Sequence, residues 1–283
     1  MPSADDYLQG VPDQPRPRFG PRRAVLVAAG VSALVAAITA GLSGPGSTPQ
    51  TGLGLAASTT RATAQTVHTH DARARAVDCR RLKCIALTFD DGPGPTTEQL
   101  LKILRGAHAH ATFFMIGIQV QQFPRVARDV VRAGDEVGDH TWDHPDLDTL
   151  SPQRVRWEIA KARTEIIHAT GVAPRFLRPP YGSTGPMVGS VAGSLGLPQV
   201  LWDVDTQDWL FRDQARVRTN AVSAAFPGAI ILMHDIYPST VAAVPGIIKQ
   251  LRAEGYTLVT VSQLVGQMRP GTEYFGHTTG RTF

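Results

Sequence analysis

Short apolar runs alternate with segments of helical periodicity along the chain from Cys84 onward. The predicted strands are Cys84–Phe89, Ala111–Met115, Glu136–Gly138, Arg175–Leu177, Gln199–Trp202, Ala229–Met233 and Thr257–Val261. Repeated strand and helix segments of this kind predict an α/β fold built on a parallel sheet. About seven β/α units favour a distorted or incomplete (β/α) barrel, with a flat doubly wound sheet as the alternative.

The segments between these strands carry signals of helix starts and apolar helix faces. Thr96 and Gln99 have the spacing of a capping box, in which two residues cap each other's backbone N–H groups. Ser151 and Pro152 predict the start of a long helix. The apolar face of that helix is predicted to contain Val155, Ile159, Ala162 and Ile166.

A different pattern occupies the N-terminal part of the chain. Residues 24–42 (AVLVAAGVSALVAAITAGL) contain no charged residue and directly follow Arg22 and Arg23. Positive charge on this flank predicts that residues 1–23 stay in the cytoplasm and that the rest crosses the membrane. The length lies between a signal-peptide core and a spanning helix, and no clean A-x-A cleavage site follows. We therefore expect a signal anchor at 24–42, with a cleaved signal peptide or a buried core helix as alternatives.

The stretch that follows predicts a linker and then a folded domain. Residues 43–76 are rich in Gly, Ser, Thr, Ala and Gln without an apolar period, which is typical of a flexible linker. We expect a catalytic domain at 77–268 and a C-terminal tail at 269–283. The two cysteines of the chain are Cys79, just before the first predicted strand, and Cys84, at its start. In an exported chain such a close pair favours a disulfide over a two-cysteine metal site.

Composition and charge narrow the function classes. The chain is 42% hydrophobic and 18% charged, which is compatible with a packed core. Lys and Arg number 28 against 24 Asp and Glu, and much of the excess lies in the first quarter of the chain. A nucleic-acid-binding domain would gather basic residues into a stripe on its folded part. The sequence has no such stripe, so nucleic acid is not an expected partner.

Reactive side chains follow the predicted strands. In order along the chain they are Asp90, Asp91, His140, Arg178, Asp205 and His234. In β/α barrels the carboxyl ends of the strands face one mouth, where the chemistry collects. We therefore expect these side chains to share one site.

The stretch HTWDH places two imidazoles four residues apart. His140 and His144 at this spacing can reach one metal ion from the same side of a helical turn. Two histidines and one carboxylate are typical of a catalytic zinc site that keeps a position open for water or substrate. The same set suits non-heme iron, which is the competing metal.

Five stretches in order resemble the motifs of the polysaccharide deacetylase family, also called carbohydrate esterase family four. They are TFDDGP (88–93), HTWDH (140–144), RPPYG (178–182), WDVDTQDW (202–209) and LMH (232–234). The resemblance covers about Val77 to Met268. Each motif is short, but five in the right order are specific. The chain looks similar to peptidoglycan and chitooligosaccharide deacetylases.

The resemblance implies a metal site and a catalytic set. The metal ligands would be Asp91, His140 and His144, which would bind a divalent ion, with Zn²⁺ expected and Co²⁺ as a substitute. The proton-transfer groups would be Asp90 as general base, held by Arg178, and His234 as general acid. A carboxylate of the fourth motif would tune His234. Asp205 is assigned to that role, and Asp208 also fits the motif.

The resemblance also implies substrate contacts. The backbone N–H of Tyr181 would bind the oxyanion that forms on the acetyl group. Trp209 and Leu232 would form an apolar wall around its methyl group.

The implied activity is the metal-dependent hydrolysis of N-acetyl groups from a polysaccharide, with N-acetylglucosamine of peptidoglycan as the expected substrate. Chitooligosaccharide deacetylation and acetyl-xylan esterase activity are the neighbouring alternatives. An inactive module that binds the cell wall is the alternative from another class. The N-terminal apolar segment would place the enzyme on the extracellular face of the membrane, or in secreted form outside the cell.

Overall fold

The computed structural model describes residues 77–276 and the backbone of residues 278 and 279. The segments predicted at 1–23, 24–42 and 43–76 lie outside the described residues. Within the described part, no helix has the length and apolar character needed to cross a membrane. The predicted disulfide between Cys79 and Cys84 is present, with the two Cα atoms 5.4 Å apart.

The strands of the described residues form a mainly parallel arrangement. They are β1 (Lys83–Asp90), β2 (Thr112–Met115), β3 (Glu136–Asp139), β4 (Gln199–Val200), β5 (Val204–Asp205), β6 (Ile230–His234), β7 (Tyr256–Val259), β8 (Glu273–Phe275) and β9 (Thr278–Thr279). The main sheet runs β3-β2-β1-β6-β5, and β7 pairs with the first half of β1. A second sheet has the order β4-β8-β9.

The two sheets are connected through Leu177, which forms single bridges with Asp139 and with Gln199. The strands therefore curve from β5 through β3 to β8. Among the described strands no ladder closes the ring. The expected distorted, incomplete (β/α) barrel is confirmed. The fourth predicted strand, Arg175–Leu177, is reduced to these bridges because Pro179 and Pro180 follow at once and lack the N–H that a continued ladder needs.

Helices lie between the strands along the chain. They are α1 (Thr97–Gly106), α2 (Gly117–Gln122), α3 (Pro124–Arg132), α4 (Pro152–Thr170), α5 (Pro186–Ser194), α6 (Asp208–Phe211), α7 (Gln214–Ser223), α8 (Pro238–Ala253) and α9 (Val261–Val265). Ser151 caps α4 as predicted, because its side chain accepts from the backbone N–H of Arg154. The predicted capping box at Thr96 is wrong, since the Thr96 hydroxyl donates instead to the backbone carbonyl of Asp235.

The two faces of β1 have different surroundings. Ile85, Leu87 and Phe89 pack with the outer helices in the larger apolar core. Cys84 and Ala86 point the other way, into the barrel. Because side chains alternate along a strand, Thr88 and Asp90 share the inner face. The strand thus delivers Asp90 to the mouth of the barrel.

Residues 269–276, which lack periodicity in the sequence, are part of the barrel wall. Strand β8 pairs with β4 in parallel register, Gln199 opposite Glu273 and Val200 opposite Tyr274. Tyr274 is 6% exposed. The backbone N–H of Leu201 donates to the Tyr274 carbonyl at 2.9 Å. The C-terminal segment therefore extends the strand ladder beyond β4.

Candidate active site

The side chains that follow the strands lie together at the mouth of the barrel. Asp90 and His234 end the neighbouring strands β1 and β6 and lie opposite each other in the ladder. His140 directly follows β3. Asp90, Asp91, His140, Arg178 and His234 are all at most 3% exposed. The arrangement expected from their positions after the strands is present in the structure.

Arg178 fixes the carboxylate of Asp90. Its Nη1 donates to Asp90 Oδ1 at 2.7 Å and to Thr88 Oγ1 at 2.8 Å. Its Nε and Nη2 donate to the carbonyls of Val200 and Leu201, at 3.1 and 2.9 Å. Burial lowers the pKa of Arg178, and Asp90 opposes that shift. With four of its five N–H donors occupied, the guanidinium is a rigid support for one oxygen of Asp90.

Asp91, His140 and His144 form a cluster suited to a metal ion. Their ligand atoms lie within 4.8 Å of one another. Asp91 Oδ1 is 3.4 Å from Nε2 of His140 and 3.4 Å from Nε2 of His144. A tetrahedral zinc ion with bonds of about 2.0–2.1 Å would separate its ligand atoms by about 3.3–3.4 Å. The distances from Asp91 to the two histidines therefore fit a small divalent ion.

Two further observations support the fit. Both carboxylate oxygens of Asp91 are buried without a hydrogen-bond partner, which is rare for a buried polar group and is resolved by a cation. His140 Nδ1 lies 2.7 Å from the carbonyl oxygen of Arg178. A proton on Nδ1 satisfies that carbonyl and leaves the lone pair of Nε2 free, which is the usual support of a metal-binding histidine.

Charge within the cluster favours the ligand forms of Asp91 and His144. Burial acts to raise the pKa of Asp91, but His144, His140 and His234 together outweigh it and hold the pKa below its ordinary value. Burial lowers the pKa of His144 to about 4, against the opposing effect of Asp91. Near neutral pH the site thus contains a carboxylate and a neutral imidazole, both electron-pair donors.

Backbone strain is concentrated at this site. Asp91, Thr141, His144 and Tyr181 have positive φ angles, of 72°, 69°, 64° and 59°. Residues other than glycine rarely adopt this conformation, and each such residue costs about 1–3 kcal/mol. The Tyr181 ring packs edge-on against His144, with the ring centroids 4.6 Å apart. The site therefore maintains conformations that the rest of the fold must stabilise.

The carboxylate that contacts His234 is Asp208. His234 Nδ1 lies 2.8 Å from Asp208 Oδ1, and Asp208 is fully buried. The assignment of Asp205 to this position is corrected, because Asp205 Oδ1 accepts instead from the backbone N–H of Gln207 at 2.8 Å. Gln207 has a left-handed backbone, φ 56°, at the start of α6, and Asp208 lies beyond that turn.

The environment of His234 favours its protonated form. Burial disfavours the charge, but Asp208, with smaller contributions from Asp91 and Asp90, raises the pKa of His234 to about 10. His234 Nε2 lies 3.9 Å from Asp91 Oδ2. A proton donor thus lies beside the candidate metal cluster.

Leu232 lies on the same strand as this proton donor, and Trp209 follows its carboxylate partner Asp208. Leu232 is 4% exposed and lies two residues before His234 on β6, so both point to the same face of the sheet. Trp209 follows Asp208 and is partly buried, and its side chain hydrogen-bonds to Asp205. The structure therefore places each residue of the resemblance at or beside the mouth.

Several residues of the site were not found by sequence reasoning. Thr88 binds Arg178. Thr240 donates to Asp208 Oδ2 at 2.8 Å. Glu158 of α4 accepts from the backbone of the HTWDH stretch. Thr88 could have been noticed from strand alternation, since it lies two residues before Asp90, whereas Thr240 and Glu158 lie on helices without a local signal.

Comparisons with known proteins point to one family. The sequence profile described as "Polysaccharide deacetylase" matches residues 78–200. A solved structure named "T48 deacetylase with substrate" superposes with a TM-score of 0.68 and 44% identity, covering 70% of this chain and all of that one. The chain belongs to the polysaccharide deacetylase family, carbohydrate esterase family four.

Two curated relatives are named as peptidoglycan deacetylases. The peptidoglycan-N-acetylglucosamine deacetylase PgdA of Listeria monocytogenes is 39% identical over 201 residues, which is 70% of this chain and 42% of PgdA. The peptidoglycan-N-acetylmuramic acid deacetylase PdaC of Bacillus subtilis is 42% identical over 183 residues, 64% of this chain and 38% of PdaC. The chain thus matches about two fifths of the length of these relatives.

Proposed function

We propose that the protein is a metal-dependent hydrolase that removes N-acetyl groups from N-acetylglucosamine in peptidoglycan. The observation that carries this proposal is the buried Asp91 carboxylate, which has no hydrogen-bond partner and faces His140 and His144. A fixed carboxylate, Asp90, and a protonated histidine, His234, lie beside it. Such a site combines what amide hydrolysis needs, namely an electrophilic ion, a base and an acid.

Asp91, His140 and His144 would hold the divalent ion. Zn²⁺ is the expected ion for two imidazoles and one carboxylate, and Co²⁺ is the expected substitute. When bound, the ion supplies Lewis acidity, which polarises a carbonyl group and lowers the pKa of water to about 7. The proton transfers and the remaining substrate contacts would be made by the protein groups around the ion.

Asp90 would act as the general base. Arg178 binds Asp90 Oδ1, while Oδ2 lies 3.7 Å from His140 Nε2, on the side of the metal cluster. Asp90 would accept a proton from a water molecule while the oxygen of that water forms a bond to the acetyl carbonyl carbon. The carbonyl oxygen then carries negative charge. The backbone N–H of Tyr181 would stabilise that charge, a contribution of about 3–4 kcal/mol for one donor in other hydrolases.

His234 would act as the general acid. The C–N bond breaks with its electron pair going to nitrogen, and the His234 proton joins that nitrogen so that a neutral amine leaves. The products are acetate and a sugar with a free amino group. Asp208 keeps the imidazole protonated near neutral pH through its contact at 2.8 Å. Leu232 and Trp209 would form the apolar wall around the acetyl methyl group.

The choice of peptidoglycan follows from location. A signal anchor at 24–42 and the linker at 43–76 would keep the domain near the extracellular face of the membrane that the anchor crosses. A flexible linker of that length spans roughly 30 Å. The glycan within reach is then the wall of the producing cell. N-acetylglucosamine is preferred to N-acetylmuramic acid because its free 3-hydroxyl leaves the acetamide less crowded. Cleavage at the apolar segment would give a secreted form instead.

The test is product analysis on a panel of substrates. Purified protein is incubated with peptidoglycan, chitin oligomers and acetylated xylan, and acetate and the modified sugars are measured by mass spectrometry. Free glucosamine units in peptidoglycan are the expected result. Turnover of chitin oligomers or xylan alone would replace the proposed substrate by that glycan. The absence of acetate from every substrate would support a wall-binding module without catalysis.

A further inference from the structure

The loop that carries both metal-cluster histidines has an unfavourable backbone conformation. Residues 140–144 lie between β3 and the short helical turn Leu147–Thr149. Thr141 and His144 have φ angles of 69° and 64°. Such angles persist only where surrounding contacts outweigh their cost. The contacts that hold this loop therefore decide whether His140 and His144 face the same point.

The backbone N–H groups of the loop each have an acceptor. The N–H of Thr141 donates to Asp139 Oδ1 at 2.8 Å, and that of His144 donates to Thr141 Oγ1 at 3.2 Å. Between them, the N–H groups of Trp142 and Asp143 both donate to Glu158 Oε2, at 3.1 and 3.3 Å. The fifth N–H group, that of His140, donates to the carbonyl of Met115 at 3.0 Å. Two of the five bonds thus depend on a single carboxylate oxygen from α4.

The loop is also held by α2. The backbone N–H of Gly117 donates to the carbonyl of Thr141, and that of Ile118 donates to the carbonyl of Trp142, each at 2.9 Å. An added side-chain atom at Gly117 would approach the Trp142 ring to 2.6 Å, so the helix and the loop are in direct contact. The loop is therefore bound by both α2 and Glu158.

Glu158 is an unusual residue for its position. It is fully buried, on the same helix face as the apolar residues Val155, Ile159 and Ala162. A buried carboxylate is unfavourable unless it is paired and hydrogen-bonded. Its Oε1 lies 2.6 Å from Arg154 Nη2, and its Oε2 accepts the two loop N–H groups. Both carboxylate oxygens of Glu158 thus have polar partners, and two of those partners belong to the loop.

We propose that Glu158 is a positioning residue for the metal site. It holds residues 140–144 in the strained conformation that directs His140 and His144 toward one cation. This inference rests on the metal site proposed above and adds a residue outside its ligands. Arg154 supports the arrangement, because the same guanidinium lies 3.6 Å from Asp143 Oδ2. Removing the acceptor oxygens of Glu158 should loosen the loop and weaken metal binding.

The test compares metal affinity in matched variants of the apoprotein. Glu158→Met keeps the length and volume of the side chain but removes both acceptors, whereas Glu158→Gln keeps one acceptor oxygen. Ile166→Ala, at a fully buried position later in α4, is the control for general destabilisation. Affinity for Zn²⁺ and Co²⁺ is measured by competition with a chromophoric chelator, and the melting temperature of each apoprotein is recorded in parallel.

We expect Glu158→Met to bind Zn²⁺ about 10- to 100-fold more weakly than the wild type, the range found when supporting partners of metal ligands are removed. Glu158→Gln should lose clearly less affinity than Glu158→Met, and Ile166→Ala should keep wild-type affinity although it melts earlier. Wild-type affinity in Glu158→Met, or an equal loss in Ile166→Ala, would overturn the proposal. Failure of the wild type itself to bind a divalent ion would overturn the metal site as a whole.

A second measurement covers the case in which Glu158→Met does not fold. Amide hydrogen exchange is followed in wild-type and Glu158→Gln apoprotein. The N–H groups of Trp142 and Asp143 should be protected in the wild type and exchange faster in Glu158→Gln, since the weaker acceptor loosens the loop. Rapid exchange of both groups in the wild type would show that Glu158 does not hold them, and the proposal would fail.

Discussion

Asp208 holds His234 at two points. Its Oδ1 contacts the imidazole Nδ1 at 2.8 Å, and its Oδ2 accepts from the His234 backbone N–H at 2.7 Å. Oδ2 also accepts from the Thr240 hydroxyl, and Oδ1 from the backbone N–H of Trp209. Both the orientation of the imidazole and its charge therefore depend on one fully buried carboxylate.

Asp208→Asn should reduce kcat by about 100-fold or more, since general acid catalysis contributes about 10²- to 10⁴-fold. The pKa of His234, raised to about 10 chiefly by Asp208 against burial, should fall in the variant. Because the acid must be protonated, the alkaline limb of the pH profile should move to lower pH. Asp205→Asn is the matched control, and its alkaline limb should stay in place. Equal shifts in the two variants would contradict the pairing.

The two adjacent carboxylates should separate into different roles. Asp90→Asn is expected to lower kcat by about 10²- to 10⁴-fold while the affinity for Zn²⁺ stays near that of the wild type, because Asp90 transfers a proton. Asp91→Asn should weaken metal binding, as should His140→Ala and His144→Ala. Metal content by mass spectrometry and kcat are measured on the same samples. Equal metal loss at Asp90 and Asp91 would disprove this division.

Metal removal should abolish activity, and Zn²⁺ or Co²⁺ should restore it. Burial lowers the pKa of His140, but Asp90 and Asp91 outweigh it and hold the pKa above its ordinary value. A cation must therefore displace a proton from His140, so metal affinity should rise as pH rises through the titration of this group. Chelator competition at several pH values measures the slope. Restoration by ferrous iron with consumption of oxygen would favour the alternative iron chemistry instead.

The C-terminal segment should be needed for stability. Truncation after Met268 removes β8, including buried Tyr274 and its pairing with Val200. The free energy of unfolding should fall by about 3 kcal/mol or more, the typical loss for one large buried aromatic side chain. Denaturant titration measures it. Truncation after Gly276 retains β8 and is the control. The same stability in both truncated proteins would show that β8 contributes little.

Strand positions and the main site were predictable because their causes are local. The apolar run of β1 is buried on both faces, as expected for a parallel strand covered by helices. Asp90, Asp91, His140 and His234 follow strands, and parallel strands bring their carboxyl ends to one mouth. These relations need only the alternation of apolar runs along the chain.

The roles of Asp208 and Glu158 and the position of β8 were not predictable, because they depend on a backbone turn or on partners far away in the chain. Asp205 and Asp208 fit one motif equally well, and the turn at Gln207 that separates them has no reliable sequence signal. Glu158 lies four residues after Arg154, the spacing of an ordinary exposed ion pair on a helix. Its burial results from packing against a loop that precedes the helix. Strand β8 has only three residues, and its partner β4 is far away in the chain.

The pairing of β1 with β6 has a consequence for how the site can be altered. Asp90 and His234 end neighbouring strands in register, so the spacing of their backbones is set by the sheet, in which adjacent strands lie about 4.8 Å apart. Trp209 and Tyr181 lie outside these two strands, on segments that also carry Asp208 and Arg178, the residues that hold His234 and Asp90. Redesign around Trp209 and Tyr181 for a bulkier or differently linked sugar can therefore leave the strand spacing unchanged, provided that Asp208 and Arg178 are kept.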